Sequence, residues 1–138
     1  MVNVTEFSKE NQELTDLGAV LDVLVVNPDM RENPVFCDLL SSFSEKIRAH
    51  LDHEDRAMYA ELLSHSDKSV NEVASKFIDN THQLRTILSS YVKRWCHATR
   101  GSKDITGHEE FMNETREIFH LVNDRIDLER NKLFPLFL

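Results

Sequence analysis

Glycine and proline are scarce, with three of each in 138 residues. So few turn formers exclude a fold of many short strands and tight hairpins, and favour long helices. Cysteine is scarce too: Cys37 and Cys96, with no Cys-x-x-Cys pair. Both lie in helical runs, which favours reduced buried thiols over a disulfide and a cytoplasmic setting. Positive charge is in deficit, with 16 Lys and Arg against 24 Asp and Glu and a formal net charge of -8. Phosphate backbones require a basic field, so nucleic acid is excluded as a partner. Long apolar runs are missing. The stretch Ala19 to Asn27 is broken by Asp22 and falls far short of the roughly 20 apolar residues that cross a bilayer. The N-terminus has neither the basic nor the apolar region of a signal peptide. There is no Ser/His/Asp nucleophile pattern and no glycine-rich phosphate loop. No enzyme is expected, beyond the chemistry a bound metal would bring.

What is present is helical periodicity. A first helix is expected over Thr5–Val26, capped by Thr5 or Ser8, with Phe7, Leu14, Gly18, Leu21 and Val25 on one face. Asn27-Pro28-Asp29 ends it, because proline restricts the residue before it. A second runs over Pro34–Ser64, with Pro34 in its first turn and Phe36, Leu40, Phe43 and Ile47 on its stripe. Ser66 opens a third over Lys68–Thr99, whose face is Val70, Ala74, Phe77, Thr81, Leu84, Leu88, Tyr91, Val92 and Trp95. Arg100-Gly101-Ser102 is the clearest break. A fourth is expected over Gly107–Phe134, capped by Thr106, with Ile118, Val122, Leu133 and Leu136 inward. Four long helices with short links predict one all-α domain over residues 1–138, an up-down-up-down bundle. Trp95 and the eight Phe are expected in its core.

Each apolar stripe carries polar intruders: Asn11 on the first, His50 and Glu54 on the second, Thr81 and Arg85 on the third, Arg125 and Glu129 on the fourth. His50 and Glu54, like Arg125 and Glu129, are four apart and share a helical face. At about 1.5 Å per residue, antiparallel folding brings all of them to roughly one layer. Bare charge is costly to bury. Glu54, Glu129 and His50 therefore meet either a metal or a salt-bridge network with Arg125 and Arg85. His82 lies one position past Thr81, toward the flank, as a boundary histidine or a ligand. His53, His120 and Asp79 are expected exposed, and His65, His97 and His108 sit at helix ends.

The word His50-Leu-Asp-His-Glu54-Asp55, followed by Met58-Tyr59-Ala60-Glu61-Leu62, resembles the hemerythrin-like (HHE cation-binding) family. So does Arg125-Ile126-x-x-Glu129-x-x-x-Leu133-Phe134-Pro135-Leu136. Ser66-Asp67-x-x-Val70 and Tyr91-Val92-x-x-Trp95 resemble a bacterial branch of it. The resemblance spans nearly the whole chain and implies a hemerythrin-like four-helix bundle. Its members hold iron with several His and two bridging carboxylates. His50, Glu54 and Glu129 match ligand positions. Asn11, Thr81 and Arg125 stand where members carry His. Arg125 puts a fixed positive charge where a cation would sit, and carboxylates alone hold iron poorly.

The implied function is a non-enzymatic cation-binding protein with an incomplete non-haem iron site for sensing, binding or storage. It would hold one or two ions at His50, Glu54, His82 and Glu129, with Asn11, Thr81, Arg85 and Arg125 as a polar network. A small diatomic ligand or a protein is a possible partner. A looser resemblance, through Asn80-Thr81 and Arg125-x-x-x-Glu129, is to the Rsd/AlgQ anti-sigma regulators. It implies a metal-free regulatory bundle with no cofactor, in which an Arg/Glu network replaces the metal. Either way, the Arg125 guanidinium is expected to contact Glu54 or Glu129, because facing carboxylates repel unless a positive charge intervenes.

Overall fold

A computed structural model describes residues 2–97 and 105–138, with side chains 31, 32, 96, 97, 105 and 106 left undescribed. The first helix, α1, spans Val4–Leu24. Asn3 caps it, its Oδ1 accepting from the Thr5 amide at 3.1 Å, so Thr5 lies inside the helix rather than at its cap. Asparagine is the stronger cap, and Asn3 still has extended backbone. Asn27 caps a short 3-10 turn, Pro28–Glu32, and Asn33 caps α2, Pro34–Glu54, through the Val35 amide at 2.9 Å. Pro34 occupies the first turn, where no amide hydrogen is needed.

The second long helix is not uniform. After α2 come a π turn, Asp55–Tyr59, and a short α3, Ala60–Leu63. The next helix, α4 (Lys68–His97), is opened by Asp67 and not by Ser66. The Asp67 carboxylate accepts from the Ser69 amide and hydroxyl, which holds it below the usual carboxylate range. The last helix, α5, spans Ile105–Leu128, which places Thr106 inside it rather than at a cap. A second π turn, Glu129–Leu133, and a 3-10 turn, Phe134–Phe137, come after it. The break expected at Arg100-Gly101-Ser102 lies outside the described residues, as do the side chains of Cys96 and His97.

The helix α1 packs on α2 and α5, and α4 packs on the same two, which closes an up-down-up-down four-helix bundle. No strand occurs among the described residues, and none of their helices is long and apolar enough to cross a membrane. The apolar interior is in two parts. One holds Leu14, Leu21, Ile47, Leu51, Leu84, Leu88, Phe119 and Ile126 with their neighbours. The other holds Phe7, Met58, Tyr59, Leu62, Ala74, Phe77, Leu133 and Phe134. Along every helix, a polar residue separates the two: Asn11, Glu54, Thr81 and Glu129. Edge-on aromatic pairs, Phe36–Phe111, Phe43–Phe119 and Trp95–Phe111, knit the larger part. Cys37 is half-buried. Phe137 is half-buried, and Leu136 is exposed instead of on the inner stripe, because the tail no longer keeps the α-helical phase.

Glu54 immediately precedes the first π turn and Glu129 opens the second. A π turn holds about one residue more than an α turn, so residues four and five beyond each carboxylate both turn inward. Met58 and Tyr59 come after Glu54 in this way, and Leu133 and Phe134 after Glu129; all four are buried. The widening after Glu54 is what aims the Tyr59 hydroxyl into the polar layer.

Candidate metal centre

His50 and Glu54 project from α2 one turn apart, and Arg125 and Glu129 project from α5 one turn apart. Glu54 and Glu129 have no exposed surface at all, and Arg125 is 3% exposed. The Arg125 guanidinium lies between the carboxylates. Its Nε donates to Glu129 Oε2 at 2.7 Å, and Nη2 to Glu54 Oε1 at 3.1 Å and Tyr59 Oη at 2.8 Å. Its Nη1 donates to Asn80 Oδ1 at 2.7 Å and the Phe77 carbonyl at 3.1 Å. Guanidinium has five N–H donors, and each has an acceptor here. The Phe77 ring also stacks against it, 4.9 Å from the guanidinium carbon. The expected contact of Arg125 is thus present to both glutamates.

His50 closes the other side. Its Nε2 is 2.8 Å from Glu129 Oε1 and 3.6 Å from Glu54 Oε2. Its Nδ1 meets Glu10 Oε1 at 2.6 Å, and Glu10 Oε2 reaches His53 Nδ1 at 2.9 Å. His53, expected exposed, is half-buried and stacks on Phe7 with ring centroids 4.0 Å apart.

These contacts set the electrostatics. Burial works against charge on His50, but the hydrogen bond and charge of Glu129, then Glu54 and Glu10, raise its pKa to about 9. Burial works against charge on Glu129 as well. His50 and Arg125 overcome it and hold this carboxyl down at about 2. Glu54 goes the other way: burial and the facing Glu129 push it well above the usual value, and His50 and Arg125 do not compensate. Glu129 accepts two short charged hydrogen bonds where Glu54 has one longer one, so the proton of this acidic pair sits on Glu54. Burial pushes the Tyr59 phenol up. Glu54 and Glu129 keep Arg125 charged despite its burial.

Two predicted residues stand outside this layer. His82 is exposed on α4, about 100° round from the buried Thr81. Arg85 lies toward the surface, where it pairs with Asp52 at 2.6 Å and Asp55 at 3.0 Å. Asn11 and Thr81 are buried with the layer. Glu10 and Tyr59 were not among the expected site residues. The signal for Glu10 is the pair His50 and His53, three apart on one flank of α2, which calls for an acid on the neighbouring helix.

A metal fits this layer in one way only. His50, Glu54 and Glu129 each bring a ligand atom within 4.8 Å of the other two, the one such group among the described residues. Glu54 Oε2 and Asn11 Oδ1 are buried acceptors without a hydrogen-bond partner, as is Thr81 Oγ1. One nitrogen and two carboxylate oxygens suit one divalent ion of the manganese–iron–zinc range. Arg125 takes the other oxygen of each carboxylate.

No curated protein and no solved structure matches the chain. A family match does exist, to the hemerythrin HHE cation-binding domain, and it runs over residues 2–137. With that match over nearly its whole length, and a helical bundle that buries a His/Glu/Glu cluster between two apolar cores, the chain belongs to the hemerythrin HHE cation-binding domain family.

Proposed function

We propose that this protein binds a single divalent cation, iron(II) in the first place, and works by binding it, as a sensor or store, without catalytic turnover. The observation that carries the reading is the division of labour among the carboxylate oxygens. Glu54 Oε1 and Glu129 Oε2 go to Arg125, while Glu54 Oε2 and Glu129 Oε1 turn toward His50. His50 Nε2 and those two oxygens would hold the ion. When bound, iron(II) would supply an open position for a small diatomic ligand. Arg125 stands in for a second cation and keeps the two carboxylates compatible when no ion is bound. The test is anaerobic calorimetric titration of iron(II) and manganese(II) into chelator-treated protein, alongside Glu129→Gln. Saturation in the wild type, lost in Glu129→Gln, supports the reading; no heat and no bound metal in either protein removes it.

A second reading has an observation of its own. All five Arg125 donors are satisfied, and His50 is hydrogen-bonded on both nitrogens, so both basic groups of the layer already have protein partners. In that case the bundle is a metal-free regulatory module whose partner is another protein. The absence of metal binding in the same titration selects it.

A further inference from the structure

A groove of about 510 Å³ opens between α4 and the junction of α5 with the second π turn, on the outer side of Phe77 and Asn80, whose inner atoms meet Arg125. Its lining is Val73, Phe77 and Leu128, with Asn80, Lys76 and Lys132 around them. Three features of it point to one kind of occupant. Val73, Lys76, Phe77 and Asn80 have the spacing of one helical face over about two turns, and Leu128 and Lys132 are one turn apart opposite them. The result is a trough between two helices, which suits the ridge of a third helix. Leu128 is 46% exposed, although its side chain is large and apolar. The charge is also of one sign. Lys76 comes from one wall and Lys132 from the other, both exposed and neither in an ion pair with another described residue. Four other clefts on the described surface each include a carboxylate: Asp127, Asp22, Glu6 or Glu114. In a chain of net charge -8, a rim whose only charged residues are two lysines is a local reversal of sign.

We propose that the α4–α5 groove is the docking site for an acidic amphipathic helix of a partner protein. Apolar side chains of that helix would cover Val73, Phe77 and Leu128, and its flanking Glu or Asp would meet Lys76 and Lys132. An open trough with its lysines in solvent favours a helix over a small apolar molecule, which binds where most of its surface is enclosed. The proposal stands whether or not a cation binds.

The probe is a fluorescein-labelled synthetic helix of about five turns, with Leu and Phe on one face and Glu on the other. A version with Lys for every Glu is the control, and sodium dodecanoate is the competing small anionic amphiphile. Anisotropy should show saturable binding of the acidic helix and little of the basic one. The double variant Lys76→Glu, Lys132→Glu should weaken binding about tenfold, equivalent to about 1.4 kcal/mol. Leu128→Asp should weaken it as well. All three substitutions are at exposed sites, and unchanged circular dichroism would confirm the fold. Equal binding of both peptides, charge reversal without effect, or binding of dodecanoate but of neither peptide would overturn the proposal.

Discussion

Replacing Arg125 with methionine keeps most of the side-chain length and removes five hydrogen bonds. The carboxylates of Glu54 and Glu129, both without exposed surface, are then left with His50 as their only positive neighbour in the layer. Asn80 Oδ1, Tyr59 Oη and the Phe77 carbonyl lose the same partner. Removing one member of a buried ion pair costs roughly 3–5 kcal/mol, because the remaining charge stays buried without compensation. For a chain of this size that is a fall of about 10–20 °C in Tm. Urea and thermal unfolding in chelator, monitored by circular dichroism, would measure it in the metal-free protein. The denaturant dependence should stay the same, since the surface exposed on unfolding is unchanged. A double-mutant cycle with Glu54→Gln should show that the two losses are not additive. A Tm within about 2 °C of the wild type would refute the reasoning, because it would mean that Arg125 compensates no buried charge.

Stability should also depend on pH in a defined way. The His50 pKa is raised to about 9, so its contribution is complete below about 6.5 and is lost as pH rises through 9, on the order of 3 kcal/mol. The raised Glu54 value acts in the same direction, costing stability as pH climbs above 4.5. Glu129 is lowered to about 2, so its contribution is present above 4.5 and is lost as pH falls toward 2. Urea midpoints in chelator should therefore peak between 4.5 and 6.5; a steady rise up to pH 9 would contradict these assignments. Of the two carboxyls it is Glu54 that is pushed up, by burial and the facing Glu129, so Glu54→Gln should cost less than Glu129→Gln in the metal-free protein. Glu129→Gln should cost roughly 3–5 kcal/mol, and chemical denaturation giving the opposite order would place the proton on the wrong carboxyl. Cation binding must displace the proton of His50, whose pKa is about 9, so the logarithm of the apparent affinity should rise with a slope of at least about one per pH unit near neutrality. Calorimetry in buffers of different ionisation heat would show this, and a slope near zero would exclude this ligand.

The bundle was legible because the periodicity of four segments agreed with their turn residues. Pro34, Pro28 and the apolar stripes on α1, α2 and α4 are local signals that need no knowledge of the partner helix. The contact of Arg125 with Glu54 and Glu129 was legible for the same reason: all three fall on buried stripes, and facing carboxylates require a positive charge. Glu10 was not, because it lies off the α1 stripe and enters the layer only through the flank of His50. Tyr59 was hidden by the π turn. An extra residue in one turn shifts the helical phase of every later residue, and nothing in Asp55–Tyr59 shows it locally. Arg85 illustrates the opposite case. It lies at the edge of the α4 stripe, and Asp52 and Asp55 on α2 draw it outward. The caps moved by one or two residues, from Thr5 to Asn3 and from Ser66 to Asp67, and Thr106 fell inside α5, since several polar residues compete at each helix end.

The most direct measurement is the number of iron(II) ions held per chain by the wild type and by Arg125→His, under anaerobic conditions with metal and protein quantified together. The substitution removes the fixed charge and supplies an imidazole where other family members carry a ligand. The geometry predicts one ion in the wild type and two in Arg125→His, with tighter binding in the variant. Two ions in the wild type, or the same number and affinity in both proteins, would contradict the view that Arg125 occupies the place of a cation.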